Sequence, residues 1–366
     1  MKSARTRFIY IFGTTGELIK IFPLIRSMEQ MGTPIELWST SQQIEELPHA
    51  IDSLGITTKV EWLTNGRGGS SLRTKSDVLV WLVNISLKLL IRAPRMRSVR
   101  KNGGVFVHGD TMTTAIAAFF ARMSGSQVIH VEAGMRSGDI RNPFPEELSR
   151  RFVAKVADIN YAPGEVPVGN LAGARGVVVD TRLNTIVDAL LAAQEKRTDD
   201  GRERFGLVSI HRSELYENED AFRGILQVLA RHSLDHPLVF IDHPVTAQRM
   251  MELGLDDVVD NPNFRRVPKL DYFGFIDLLG RADYVVTDSG GLQQECEITG
   301  QPCLVHRAVT ESTWKLDKNI VLSRLDNKVL EDFLAEPSRY RHEVAEDLVS
   351  PTSIIIDDLR ARKLID

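Results

Sequence analysis

Short runs of β-branched and aromatic residues alternate along the chain with longer segments whose apolar positions recur at helical spacing. This alternation predicts βα units around parallel sheets. Residues 7–12 (RFIYIF) read as a first buried strand, followed by Gly13-Thr14-Thr15-Gly16 and a helix from Glu17. Further strands are predicted at 35–39, 104–108, 127–131 and 159–162, giving an N-terminal α/β domain over 1–165. The Pro- and Gly-rich stretch APGEVPVGNLAGARG (162–176) has the composition of an exposed connection between domains. Strands are then predicted near 176–179, 206–210, 237–241, 284–287 and 302–306, in a second domain over 166–350. Residues 351–366 carry a last helical pattern, expected by analogy of fold to pack back on the N-terminal domain. The expectation is two doubly wound Rossmann-like domains facing a central cleft at the carboxyl ends of their strands.

The length of 366 residues agrees with two cores, at roughly 100–200 residues per domain. With 43% hydrophobic and 26% charged residues, the composition is that of a soluble globular protein. A net charge of −4 gives no overall electrostatic reason to bind nucleic acid. Two cysteines, Cys296 and Cys303, exclude a disulfide framework and a four-cysteine zinc site, and fit a reducing, cytoplasmic compartment. The apolar run Phe8 to Phe12 is too short for a signal-peptide core. Val78 to Ile91 is interrupted by Asn84, Ser86 and Lys88 and falls short of a bilayer span.

Three segments carry candidate chemistry. In ADYVVTDSGGLQQE (282–295) a buried strand ends at Thr287-Asp288, and Ser289-Gly290-Gly291 opens a helix. Free N–H groups at a helix start and close-approach glycines suit a diphosphate; a tight turn with a serine cap is an equal alternative. Glu295, farther along that helix, is placed to reach a ribose hydroxyl or to lie in solvent. In VHGDTMTTAIAA (107–118) and HVEAGMRSGDIRNPFPEELSR (130–150), Asp110 and Glu132 follow neighbouring apolar runs, so both belong at strand ends, where α/β sheets place ligands. Glu146 and Glu147 enter a helix bearing Arg150 and Arg151. Converging carboxylates can supply an acid and a base of different pKa, although acidic first-turn residues also simply complement a helix dipole. In the third segment, VSIHRSELYEN (208–218), His211 and Arg212 end a strand, as His243 does in FIDHPV.

The chain has no GxGxxG after its first strand, no GxxxxGK[ST] and no HExxH, so nicotinamide, P-loop and zinc-protease chemistry lose their main support.

In order and spacing these segments resemble the UDP-N-acetylglucosamine 2-epimerase family, which has the GT-B fold. The resemblance rests on HGDT (108–111), HVEAGMRSGD (130–139), PEE with Arg150 four residues beyond Glu146, NTIVDAL (184–190), HR (211–212) and TDSGGLQQE (287–295). It implies inversion at C2 of a UDP-sugar by elimination of UDP to a glycal and re-addition, with neither NAD nor a metal. By resemblance Asp110, Glu132 and Glu146 are the catalytic carboxylates, assisted by His211 and Arg150. Lys20, Arg136, His243, Ser289, Gly290 and Gly291 are implied on the substrate, Lys20 and the Ser289 turn at its diphosphate, with Glu295 on the ribose. A homodimer is implied as well.

The departures are specific. The family's GTRPE loop reads Gly13-Thr14-Thr15-Gly16-Glu17 here, and its TERPE segment reads Thr310-Glu311-Ser312-Thr313-Trp314, so two arginines are missing. Threonine and serine do not replace a guanidinium fork. The QHR segment and second arginine that bind an activating UDP-N-acetylglucosamine in bacterial members are Gln42-Gln43-Ile44 and Ser213, so no such activation is expected. A hydrolysing epimerase, a GT-B glycosyltransferase and a non-catalytic binder stand as alternatives, and the retained acid/base set argues against the last. Residues 78–101 combine an apolar stretch containing Trp81 with Lys88, Arg92, Arg95, Arg97, Arg100 and Lys101. They read either as a buried helix with a basic loop or as a peripheral contact with anionic lipid.

Overall fold

The computed structural model describes residues 7–66, 68–72, 74–138, 144–194, 204–310, 316, 318–342 and 348–366. Two compact units result, Met1–Ala192 with Leu348–Asp366, and Ala193–Asp347. Each is a parallel sheet flanked by helices, Rossmann-like in its winding.

The first unit contains β1 (Phe8–Phe12), β2 (Ile35–Ser39), β3 (Val60–Trp62), β4 (Gly104–His108), β5 (Val128–Val131), β6 (Ile159–Ala162) and β7 (Val177–Asp180), in the order β3-β2-β1-β4-β5-β6-β7. Interior β1 is buried along its whole length, as an all-apolar run must be when helices cover both faces. Tyr10 pairs with Phe106 in register, and their rings stack at 4.5 Å. Helix Thr15–Gln30 begins in a capping box, in which Thr14 accepts from the Glu17 N–H and Glu17 accepts from the Thr14 N–H. In helix Lys75–Ile91, Trp81, Ile85 and Leu89 recur at a spacing of four and enter the core, while Leu79, Val83, Leu87 and Leu90 are exposed. The Trp81 indole donates to the Thr40 carbonyl at 2.8 Å.

The domain boundary expected at 165 is corrected by the pairing of β6 with β7, which aligns Tyr161 with Val179. Residues 162–176 therefore form a crossover within the first unit, partly as helix Glu165–Asn170. Their composition marks an exposed connection but does not tell which sheet the next strand joins. The first unit instead runs to Ala192. Helix Pro351–Ala361 also belongs to this unit. Tyr161 Oη donates to Asp358 at 2.8 Å, and the Thr352 N–H to Asp188 at 2.7 Å.

The second unit contains β8 (Phe205–Ser209), β9 (Leu238–Asp242), β10 (Phe264–Pro268), β11 (Ala282–Thr287), β12 (Cys303–Val305) and β13 (Ile320–Leu322), in the order β10-β9-β8-β11-β12-β13. β8 and β11 lie at its centre, where Gly206 leaves room for the Tyr284 ring: a Cβ there would lie 2.3 Å from it. Phe222, Ile225, Leu229, Phe240 and Val286 fill this core. The strands not expected, β3, β10 and β13, are edge strands that are short or carry charges, as Arg265 and Arg266 in β10, so they lack a continuous apolar run. No helix among the described residues is long and apolar enough to cross a membrane.

Candidate active site

In the first unit β4 and β5 pair side by side and end together, which sets Asp110 and Glu132 on adjoining loops. Gly109 and Glu132 both take left-handed backbone conformations, at φ 64° and 62°. Glycine does so freely, whereas glutamate does so at a cost. Lys20 Nζ lies 2.8 Å from each Glu132 oxygen, and His108 Nε2 lies 3.1 Å from one of them. Burial alone would raise the Glu132 pKa; the Lys20 charge and His108 outweigh it and hold the carboxyl well below its ordinary range. His130 Nε2 donates to the Gly109 carbonyl at 2.8 Å, while burial drives its pKa down to about 4.

Asp110 forms an ion pair with Arg150. Arg150 lies on helix Glu146–Val156 and also donates to Glu147 at 3.3 Å. Glu147 is fully buried and receives Arg151 Nε at 2.9 Å and the Ser137 N–H at 3.1 Å, with Arg136 3.8 Å away. Glu146 is the first residue of that helix and is partly exposed. Glu17 is buried beneath the same loops, where it accepts from the Gly13 and Thr14 N–H groups at 2.8 and 2.9 Å and from Thr111 Oγ1 at 2.8 Å. Gln42 accepts from Thr113 at 3.1 Å, and the Gln43 N–H donates to the Gly13 carbonyl at 2.9 Å, so this pair supports the first loop.

In the second unit Ser289 caps helix Gly290–Thr299 by accepting from the Leu292 N–H, and Gly290 and Gly291 form the first turn. Glu295, one turn farther on, is buried; burial and then the Glu295 charge push the Tyr272 hydroxyl pKa up. Asp288 accepts from the His211 N–H at 3.0 Å and the Arg212 N–H at 2.8 Å. His243 meets Ser209 Oγ at 3.2 Å, and its ring centroid lies 4.4 Å from that of His211. Burial, then the neighbouring His211 and Lys269, push His243 down to about 3.

Lys20 and Glu132 therefore come together, as do Asp110 with Arg150 and His211 with His243. Lys20, expected at a diphosphate, is taken up by Glu132 in the structure. Asp139 of the HVEAGMRSGD motif and Glu311, Ser312, Thr313 and Trp314 lie outside the described residues. The sequence does not single out His108, Glu17 or Asp288 as site residues. The Thr14-to-Glu17 capping-box spacing is a signal for Glu17, and His108 and Asp288 stand within the HGDT and TDSGGLQQE segments, but nothing local marks the partners they meet. Among the described residues no group of three His, Cys, Asp or Glu could hold a metal ion.

Residues 82–332 match the family model for UDP-N-acetylglucosamine 2-epimerase. A curated Ralstonia nicotianae protein named "Probable UDP-N-acetylglucosamine 2-epimerase" is 30% identical over 326 residues, covering 83% of each chain. The Campylobacter jejuni UDP-N-acetylglucosamine 2-epimerase is 29% identical over 342 residues, covering 86% of this chain and 85% of its own. The Methanocaldococcus jannaschii UDP-GlcNAc 2-epimerase, solved in complex with UDP-GlcNAc and UDP, superposes with a TM-score of 0.79 at 25% identity, over 97% of this chain and 99% of its own. Its likeness agrees with the two Rossmann-like units of the GT-B class, and on these grounds the chain belongs to the UDP-N-acetylglucosamine 2-epimerase family.

Proposed function

We propose that the protein is a UDP-N-acetylglucosamine 2-epimerase, inverting C2 through elimination of UDP and re-addition to the glycal. The observation that carries this reading is the pair of carboxylates at adjoining strand ends, Glu132 held by Lys20 and Asp110 by Arg150. Elimination needs a base near the C2 proton and stabilisation of the departing diphosphate. Asp110, Glu132 and Glu146 supply the carboxylates, with Arg150 and His211 assisting. Ser289, Gly290 and Gly291 offer the start of a helix to the diphosphate, and Glu295 a carboxylate to the ribose. Arg136 and His243 complete the substrate contacts. Proton NMR of the protein with UDP-N-acetylglucosamine in deuterated water tests this. UDP-N-acetylmannosamine deuterated at C2 is the expected product. UDP with free N-acetylmannosamine would identify a hydrolysing enzyme, and an unchanged spectrum would overturn the reading. The rate curve is expected to be hyperbolic, because Ile44 and Ser213 stand where activator-binding residues occur in bacterial members. Sigmoidal kinetics abolished by trace UDP-N-acetylglucosamine would contradict this.

The protein is further proposed to act in the cytoplasm as a homodimer. Helices Lys75–Ile91 and Met112–Met123 pack into one core cluster of the first unit, through Trp81, Ile85 and Leu89 on the one and Ala117, Ala118 and Ala121 on the other. Away from that core they expose Leu79, Val83 and Leu87, and Phe119 and Met123, respectively. A second copy fits these apolar positions better than lipid does, because two of the six cations noted above are already engaged within the chain, Arg92 by Glu61 and Arg95 by Glu36. Light scattering is expected to give a dimer that Leu87→Glu dissociates. A monomer that pellets with anionic vesicles would instead support the peripheral membrane contact.

A further inference from the structure

Asp288 is the last residue before the Ser289 turn, and its side chain is wholly buried. One oxygen lies 3.0 Å from the His211 nitrogen and 2.8 Å from that of Arg212, and the other lies 3.1 Å from His211 N. Two backbone donors on one carboxylate tie the loop after β8 to the loop after β11. The same carboxylate faces the His211 ring, with Oδ1 3.5 Å from Nδ1.

The two imidazoles beside it are not equivalent. His243 sits against Ser209 Oγ at 3.2 Å, has Lys269 as a cationic neighbour, and is kept neutral by burial. His211 has the carboxylate. We propose that Asp288 is a positioning residue that clamps His211 and Arg212 to the Ser289 turn and makes His211, not His243, the member of this pair that carries a proton. Among the described residues the charged or titratable groups near them include Tyr216, which feels the Asp288 charge, Glu214, which pairs with Arg212 and Arg307, and Asp242, which precedes His243 and is held by Arg266. None of these removes the asymmetry between the rings, because an opposite charge favours the imidazolium and a buried cationic neighbour disfavours it.

For the epimerase reading, on which the functional sense of this assignment rests, a protonated His211 places a positive N–H donor beside the turn assigned to the departing diphosphate. The same logic of a carboxylate orienting an imidazole recurs in hydrolytic sites.

Histidine NMR titration of the full chain tests the assignment without requiring turnover. In the wild type His211 is expected to take up its proton at a higher pH than His243, and in Asp288→Asn its midpoint is expected to fall by about one unit. The kcat of Asp288→Asn is expected to fall by about tenfold or more, with KM changed less than about threefold. An order of protonation with His243 first in the wild type would overturn the proposal even if the variant failed to fold. An unchanged His211 midpoint in a folded variant would overturn it equally. A protein inactive as an epimerase but with the expected midpoints would remove the proposed reaction and leave the positioning role standing.

Discussion

The Lys20 ammonium sits 2.8 Å from both oxygens of Glu132, two residues separated by 112 positions in the chain. Because the folded-state pKa of Glu132 is depressed, its contribution to stability is full above the unfolded value and is lost as pH falls toward the folded one. The stability gap between wild type and Glu132→Gln is expected to stay constant above about pH 5 and to narrow below about pH 4. Urea midpoints measured across that range check this; a gap that widens in acid would show that Glu132 is not held ionised. Lys20→Met is expected to cost about 3 kcal/mol at neutral pH, as removal of one partner from a buried pair does.

Asp110→Asn or Glu132→Gln is expected to lower epimerisation by about 100-fold or more, with UDP affinity kept within about threefold. Ser289, Gly290 and Gly291, proposed at the diphosphate, belong to the second unit, so loss of UDP binding by calorimetry in either variant would show the roles to be misassigned. Ser289→Ala is expected to do the reverse, weakening UDP binding, and also to cost about 1 kcal/mol of stability through the lost helix cap.

Trp81 is buried on the helix whose opposite side is exposed, and its indole holds the Thr40 carbonyl. Thr40 in turn meets Thr113 at 2.7 Å beneath the Gly13 loop. Trp81→Ala is expected to destabilise the protein by about 3–5 kcal/mol. Chemical denaturation measures this, and a cost below about 1 kcal/mol would mean that this helix can detach without loss of the core.

Tyr161→Phe removes the hydroxyl that donates to Asp358, while Arg362 remains 2.7 Å from the same carboxylate. The expected cost is about 1 kcal/mol, with faster hydrogen exchange over helix Pro351–Ala361. Unchanged exchange in that helix would show that apolar packing by Ile355 and Leu359 holds it without the polar contact.

What the sequence makes legible follows from how local each signal is. Asp110 and Glu132 can be set at strand ends because an apolar run stops just before each, and the Ser289 turn because serine and two glycines follow a strand directly. Their partners cannot be read. Lys20 reaches Glu132 only because β1 and β5 both flank β4 in the folded sheet, an order that no spacing encodes. Asp288 reads as the end of a strand, and its work on the His211 loop depends on β8 lying beside β11. The displaced domain boundary has the same cause: residues 162–176 look like a connection and are one, but the sheet that β7 joins is decided by long-range pairing.

Leu348–Asp366 is synthesised after the second unit, yet it completes the unit that is made before it. At translation rates of about 5–20 residues per second, synthesis of Ala193–Asp347 leaves Tyr161 and Asp188 without the helix they hold for on the order of ten seconds. The second unit, being continuous in sequence, has all its strands available before that helix emerges. Folding on the ribosome can thus finish in the reverse of the order of synthesis, with the Tyr161 and Asp188 contacts of the first unit left open until helix Pro351–Ala361 is released.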